Sequence, residues 1–260
     1  MADPKSVLAY DIGAEEYDAH VSDPNDSIYH SYYEKPAIRK LFGDLTDKKV
    51  LNIGCGSGVD THWIVENGAK SVVGIDLSKG LIDVGKKKYP DLDLRVMDME
   101  KLEFDDESFD LLVSSLAIHY LPDWTDALKE AFRVLAPGGR YVLSSNHPLD
   151  GALEYFSNGD IQSALVGRNK NTMTGKNEYI GDYLKTSKSG VSEFVMPIGD
   201  LKVTTYTQTF ANMVRYIREA GFTVESVAEP IPSEQMKTID LHAYNKLSRL
   251  PFFIIWELRK

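Results

Sequence analysis

Cysteine is all but missing. Cys55 is the single one in 260 residues, so an intramolecular disulfide and a cysteine-built zinc site are both excluded. Long apolar runs are missing too. The longest span about five to seven residues, far short of the roughly twenty that cross a bilayer. The segment from Met1 to Tyr10 has acidic residues and no apolar centre, so it does not read as a secretory signal, and a cytoplasmic protein is expected. Basic charge is in deficit: 39 acidic against 29 basic residues leave a formal net charge of -10. Such a field repels a phosphate backbone, so neither nucleic acid nor a membrane is expected as a partner. The one basic run, Lys86-Lys87-Lys88, reads as the solvated end of a helix. Glycine (19) and proline (11) are scattered without period, which excludes collagen-like and low-complexity chains.

What is present is an ordinary globular balance, 43% hydrophobic and 26% charged, enough for one large domain. From about residue 48 to 146, short apolar runs alternate with helical stripes. Strands are expected at Lys49 to Ile53, Ser71 to Asp76, Leu92 to Met97, Phe109 to Val113 and Tyr141 to Leu143, the last after a Pro137-Gly138-Gly139 turn. Helices are expected at Val59 to Asn67, after Ser78, and from Trp124 to Leu135 behind an Asp123 cap. Strand–helix alternation at this spacing implies right-handed crossovers and an open, doubly wound α/β sheet. Ligands of such sheets sit beyond the carboxyl ends of the strands. The rhythm breaks from about Asp150 to Thr209, which reads as an inserted lid. Its Tyr155, Phe156, Tyr179, Tyr183, Phe194, Met196 and Tyr206 suggest a partly aromatic or apolar ligand pocket.

The chemistry gathers at the strand ends. Ile53 runs into Gly54-Cys55-Gly56-Ser57-Gly58, where missing Cβ atoms permit a sharp turn and a closely laid ligand. No Gly-Lys-Ser/Thr follows, so this is not a P-loop. Asp76 ends the second strand about twenty residues on, placed to hold ribose hydroxyls. These features fit either a dinucleotide or S-adenosylmethionine. Asp98 and Met99 end the third strand, suited to an adenine amino group and to the face of the base. An acidic turn then leads through Phe109-Asp110 into an apolar strand, and Arg133-Val134-Leu135 leads to Pro137-Gly138-Gly139.

On these residues the chain resembles the class I S-adenosylmethionine-dependent methyltransferases. Within them it is similar to the methyltransferase type 11 branch, related to the ubiquinone and menaquinone biosynthesis methyltransferases. The resemblance implies a seven-stranded Rossmann-like sheet whose last strand is antiparallel. It implies one domain over 1–260: a cap (1–47), a cofactor-binding core (48–148), an inserted substrate lid (149–208) and the remainder of the core (209–260). It also implies that the backbone at Gly54, Cys55 and Gly56 approaches the cofactor's methionine part. Asp76 with Leu77 would hold the ribose, Asp98 and Met99 would bracket the adenine, and Ser114 would place its backbone near the cofactor's amino group. A cap tyrosine, Tyr33 or Tyr17, would close over the cofactor.

The implied activity is methyl transfer from S-adenosylmethionine, leaving S-adenosylhomocysteine, to an O or N atom of a small molecule by a monomer or homodimer. Two departures stand against the family pattern: Asn52 in place of the usual Asp, and Thr207-Gln208 in place of a His-Arg pair. They keep open a protein that binds the cofactor without transferring methyl. A nicotinamide-dependent oxidoreductase is the other alternative, although the glycine spacing is not Gly-x-Gly-x-x-Gly. Of six histidines, His119 and His147 follow strand ends on the ligand side and are the candidate bases. His20, His30, His62 and His242 have no such placement, and no metal-ligand spacing is present.

Overall fold

The computed structural model describes residues 2–158, 161–181, 183, 191–198 and 201–260. Strands β1 (Lys49–Ile53), β2 (Ser71–Asp76), β3 (Asp93–Val96), β4 (Phe109–Ser114) and β5 (Leu135–Asn146) open the sheet. Three antiparallel hairpins follow: β6 (Glu154–Asn158) with β7 (Ile161–Leu165), β8 (Gly167–Lys170) with β9 (Asn177–Ile180), and β10 (Val191–Ile198) with β11 (Leu201–Gln208). Strands β12 (Thr223–Ala228) and β13 (Phe253–Arg259) complete a seven-stranded sheet in the order β12-β13-β5-β4-β1-β2-β3. Its first five strands pair in parallel, and β13 is antiparallel to both β5 and β12. The sheet class, the strand number and the antiparallel last strand are those the resemblance implied.

The period of two along each strand sends alternate side chains to two cores. Leu51, Leu112, Leu143 and Trp256 enter one, beneath α6 (Thr125–Val134) and α7 (Phe210–Glu219). Val50, Leu111, Val142 and Ile255 enter the other, beneath α3 (Lys35–Phe42) and α4 (Val59–Glu66). Helix α5 (Lys79–Lys88) starts where the Ser78 hydroxyl accepts the Leu81 amide and ends on three lysines that suit its dipole. Helices α1 (Pro4–Ile12) and α2 (Ala14–Ser22) form the N-terminal cap, and α8 (Met236–Ile239) and α9 (Leu241–Leu247) precede β13.

One expected turn is corrected. Pro137-Gly138-Gly139 does not separate a helix from a strand; it is a bulge inside β5, where the partner of Phe109 is Leu135 and that of Leu111 is Arg140. Main-chain bonds to the final residue satisfy the bulge, Gly138 N to Lys260 O and Lys260 N to Gly139 O, each 3.1 Å. The hairpins of the expected lid meet the cap through β11, where the Thr204 amide donates to Ser6 Oγ at 2.8 Å. The side chains of Tyr155, Phe156, Phe194 and Met196 lie outside the described residues, while Tyr179 is exposed.

Candidate active site

A cavity opens at the carboxyl ends of β1 to β5, where the sheet rule places a ligand. Its floor begins at the end of β1. The amides of Gly54 and Cys55 both donate to Ile75 O, which folds the loop back across β2. Gly54 has φ 70°, and a Cβ there would stand 2.2 Å from the Ala117 Cβ, so no other residue fits without moving the β4 turn. The Asp76 carboxylate spans two loops, accepting the Gly56 amide at 2.8 Å and the Ser78 amide at 2.9 Å. Burial raises its pKa while those two amides pull the other way. Each oxygen keeps a lone pair for a ligand hydroxyl. On the next strand end Asp98 holds the Glu100 amide at 2.9 Å, and Met99 lies beside Gly54.

The cap supplies a wall. Asp11 accepts Ser78 Oγ at 2.7 Å and the Gly80 amide at 2.9 Å, while Asp18 accepts Ser57 Oγ at 2.6 Å and Lys88 Nζ at 2.8 Å. Each bond therefore joins the cap to the glycine loop or to α5. Tyr10 packs edge-on against Tyr17 and Tyr120, and its hydroxyl is bonded to that of Tyr120. Burial pushes the Tyr120 phenol up to about 12, so it stays a neutral donor and acceptor.

The far wall is the turn after β4. Leu116 is held at φ 50°, a left-handed conformation that is costly for a leucine. Its amide donates to Ser144 Oγ at 2.9 Å, and that hydroxyl donates to Glu34 Oε1 at 2.6 Å. Ser115 Oγ donates to both oxygens of the same carboxylate at 3.0 Å. Glu34 closes a five-residue π-helical turn, His30–Glu34, and is fully buried. Burial pushes its carboxyl up to about 7, against the pull of both serines. Two imidazoles line the same cavity as neutral groups: burial holds His119 at about 3, and burial with Lys35 holds His30 at about 4. The His119 Nδ1 is buried without a hydrogen-bond partner. Burial alone would raise the Asp60 carboxyl, but Lys35 and Arg39 hold it below the carboxylate range.

The structure gathers Tyr17, Gly54, Cys55, Gly56, Asp76, Leu77, Asp98, Met99 and His119 around this one cavity. It separates three others from it. Tyr33 is fully buried, packing on Phe253 and accepting the Phe252 amide. Ser114 is fully buried and does not line the cavity, whereas its neighbour Ser115 does. His147 lines a different cavity, bonded through Nε2 to Glu229 at 3.0 Å and through Nδ1 to the Leu149 amide. The two departures are anchored: Asn52 Nδ2 donates to Thr61, and Gln208 Nε2 donates to Pro122 O. Glu34 was not singled out from the sequence, yet its spacing of four from Ile38 and eight from Phe42 marks the buried face of a helix. Among the described residues no group of His, Cys, Asp and Glu is placed to hold a metal, and no helix is long and apolar enough to cross a membrane.

The fit to S-adenosylmethionine is chemical as well as spatial. Carboxylates face where hydroxyls and an amino group would lie, Met99 and Leu77 offer apolar surface, and a Cβ at Gly56 would meet nothing nearer than Tyr17 at 3.8 Å. Comparison with known proteins agrees. The family model described as "Methyltransferase domain" matches residues 51–143. An uncharacterized protein of Haemophilus influenzae is 26% identical over 238 residues, 87% of each chain. A demethylmenaquinone methyltransferase of Chlorobaculum tepidum is 25% identical over 204 residues, 74% of this chain and 81% of that one. The solved S-adenosylmethionine-dependent methyltransferase of Mesorhizobium loti superposes with a TM-score of 0.66 at 25% identity, covering 87% of this chain and 97% of that one. Sheet order, cavity and these likenesses together make the protein an S-adenosylmethionine-dependent methyltransferase, with a methyltransferase domain matched at residues 51–143 and S-adenosylmethionine as its cofactor.

Proposed function

We propose that the protein transfers the methyl group to an O or N atom of a small-molecule acceptor. The cofactor supplies, when bound, a methyl carbon on a positively charged sulfur, which is already electrophilic. The chain's own task is then to hold, align and deprotonate. Asp76 takes the ribose hydroxyls, with Leu77 beside it. Asp98 receives the adenine amino group and Met99 packs on the base. The loop at Gly54, Cys55 and Gly56 lies along the methionine part, and Tyr17 closes the cap over it. The acceptor occupies the end bounded by Ser115, His119, Asn146 and Phe253, with His119 as a neutral hydrogen-bonding partner. The hairpins of 149–208 act as the lid that shapes this end.

One observation carries the reading: a single cavity has the cofactor-type carboxylates Asp76 and Asp98 at one end and Ser115, His119, Asn146 and Phe253 at the other. Calorimetry with S-adenosylmethionine, followed by turnover on a panel of hydroxyl- and amine-bearing metabolites, tests it. Saturable binding with methyl transfer to a panel member is expected. Binding without transfer across the panel points instead to a protein that only holds the cofactor, and absence of binding overturns both.

A further inference from the structure

Glu34 is hard to explain as structure alone. It is a carboxyl group with no exposed surface, set at the ends of two central strands, and among the described residues no cation forms an ion pair with it. Burying a carboxylate unpaired is costly, and a neutral amide could accept the same two serine hydroxyls. The groups that face it are few. Ser115 reaches it from the turn after β4 and Ser144 from β5, Asp60 from α4 and Tyr17 from α2, with Lys35 next in the chain. Asp60 favours the protonated form and Lys35 the ionised one. Ser115 lines the cavity and donates to Glu34, so its own lone pairs are left for whatever lies in front.

We propose that Glu34 is the proton acceptor of the reaction, reached through the Ser115 hydroxyl, so that the acceptors served carry an O–H or N–H at the Ser115 end. This rests on the methyl-transfer reading above. The acceptor's proton passes to Ser115 Oγ as the Ser115 proton passes to a Glu34 oxygen. The acceptor's freed pair forms the bond to the methyl carbon, and the pair of the broken carbon–sulfur bond stays on sulfur. Glu34 later returns the proton to solvent. The two histidines fit this task less well: His119 is too weak a base near neutrality, and His147 lies in another cavity. A cation in the cavity favours ionised Glu34, and its loss favours the protonated form, so the charge state of the cofactor sets when the base is empty.

Titration calorimetry of the protein in buffers of different ionisation enthalpy counts the protons. With S-adenosylmethionine at pH 7, the wild type is expected to release a few tenths of a proton more than with S-adenosylhomocysteine, which lacks the sulfonium charge. In Glu34→Gln that difference is expected to vanish while both compounds still bind. A Glu34 whose protonation is not coupled to the cofactor's charge would change affinities and leave the proton difference in place. Should Glu34→Gln fail to fold, carbon NMR of wild type labelled at the glutamate carboxyls gives the same answer. One resonance should titrate near pH 7 and move down by about one unit with S-adenosylmethionine only. Equal proton counts in wild type and variant, or no such resonance, overturns the proposal and leaves the methyl-transfer reading intact. Absence of any S-adenosylmethionine binding overturns both.

Discussion

At the glycine-loop end of the cavity, the polar groups Asp76 and Asp98 sit on neighbouring strands and are fixed by main-chain amides two residues along or across one loop. At the Ser115 end, Glu34 meets Ser115 and Ser144 from 81 and 110 residues away, and the two serine hydroxyls hold its carboxyl in place. The first end is preorganised by its backbone to meet a polar cofactor. The second is assembled only when the cap docks on the sheet, and its carboxyl is poised between two protonation states. Backbone-built sites should break sterically; side-chain-built ones should break through protonation.

The largest effect is expected at the backbone-built end. Gly54→Ala places a methyl group into Ala117 at a positive φ, and strain plus overpacking should cost roughly 2–5 kcal/mol of stability. Chemical denaturation measures this; a loss below about 1 kcal/mol would mean that the β4 turn yields freely. The side-chain end should answer to pH. The folded pKa of Glu34, about 7, lies above its unfolded value, so the folded state holds the proton more tightly. Stability from this group is present below the unfolded pKa and is lost as pH rises to about 7, by on the order of 3 kcal/mol. His30 and His119, whose folded pKa values are depressed, tilt the wild-type curve the other way, so the readout is wild type minus Glu34→Gln between pH 5 and pH 8.

Asp76→Ala comes next. It removes charge-assisted hydrogen bonds worth roughly 1.5–3 kcal/mol, about ten- to a hundred-fold in affinity for S-adenosylmethionine. Unchanged affinity by calorimetry in a folded variant would refute its assignment to the ribose. His147→Ala should do least. It breaks a partly exposed bond to Glu229, and cofactor affinity should stay within about twofold. A tenfold change would tie the second cavity to the first.

The same contrast sets what the sequence could reveal. Gly54, Asp76 and Asp98 were legible because strand ends in a doubly wound sheet converge wherever the rhythm of strands is known. Glu34 was masked by its neighbour: Tyr33 is the conspicuous side chain, yet the helical turn sends it toward Phe253 and sends Glu34 inward. Ser115 and Ser144 read as unremarkable strand ends until the fold joins them. The β5 bulge escaped because Pro-Gly-Gly is turn chemistry, and only the Lys260 main chain, far away in sequence, makes it part of a strand.

The pairing of β5 with β13 joins Asn146 to Phe253 across a long excursion that contains all three hairpins. For a chain closing so large a loop, each doubling of loop length adds only about 0.6 kcal/mol of entropy. The length of the hairpin segment is therefore almost free for the sheet, and that segment can be lengthened or shortened with little penalty to closure of the scaffold.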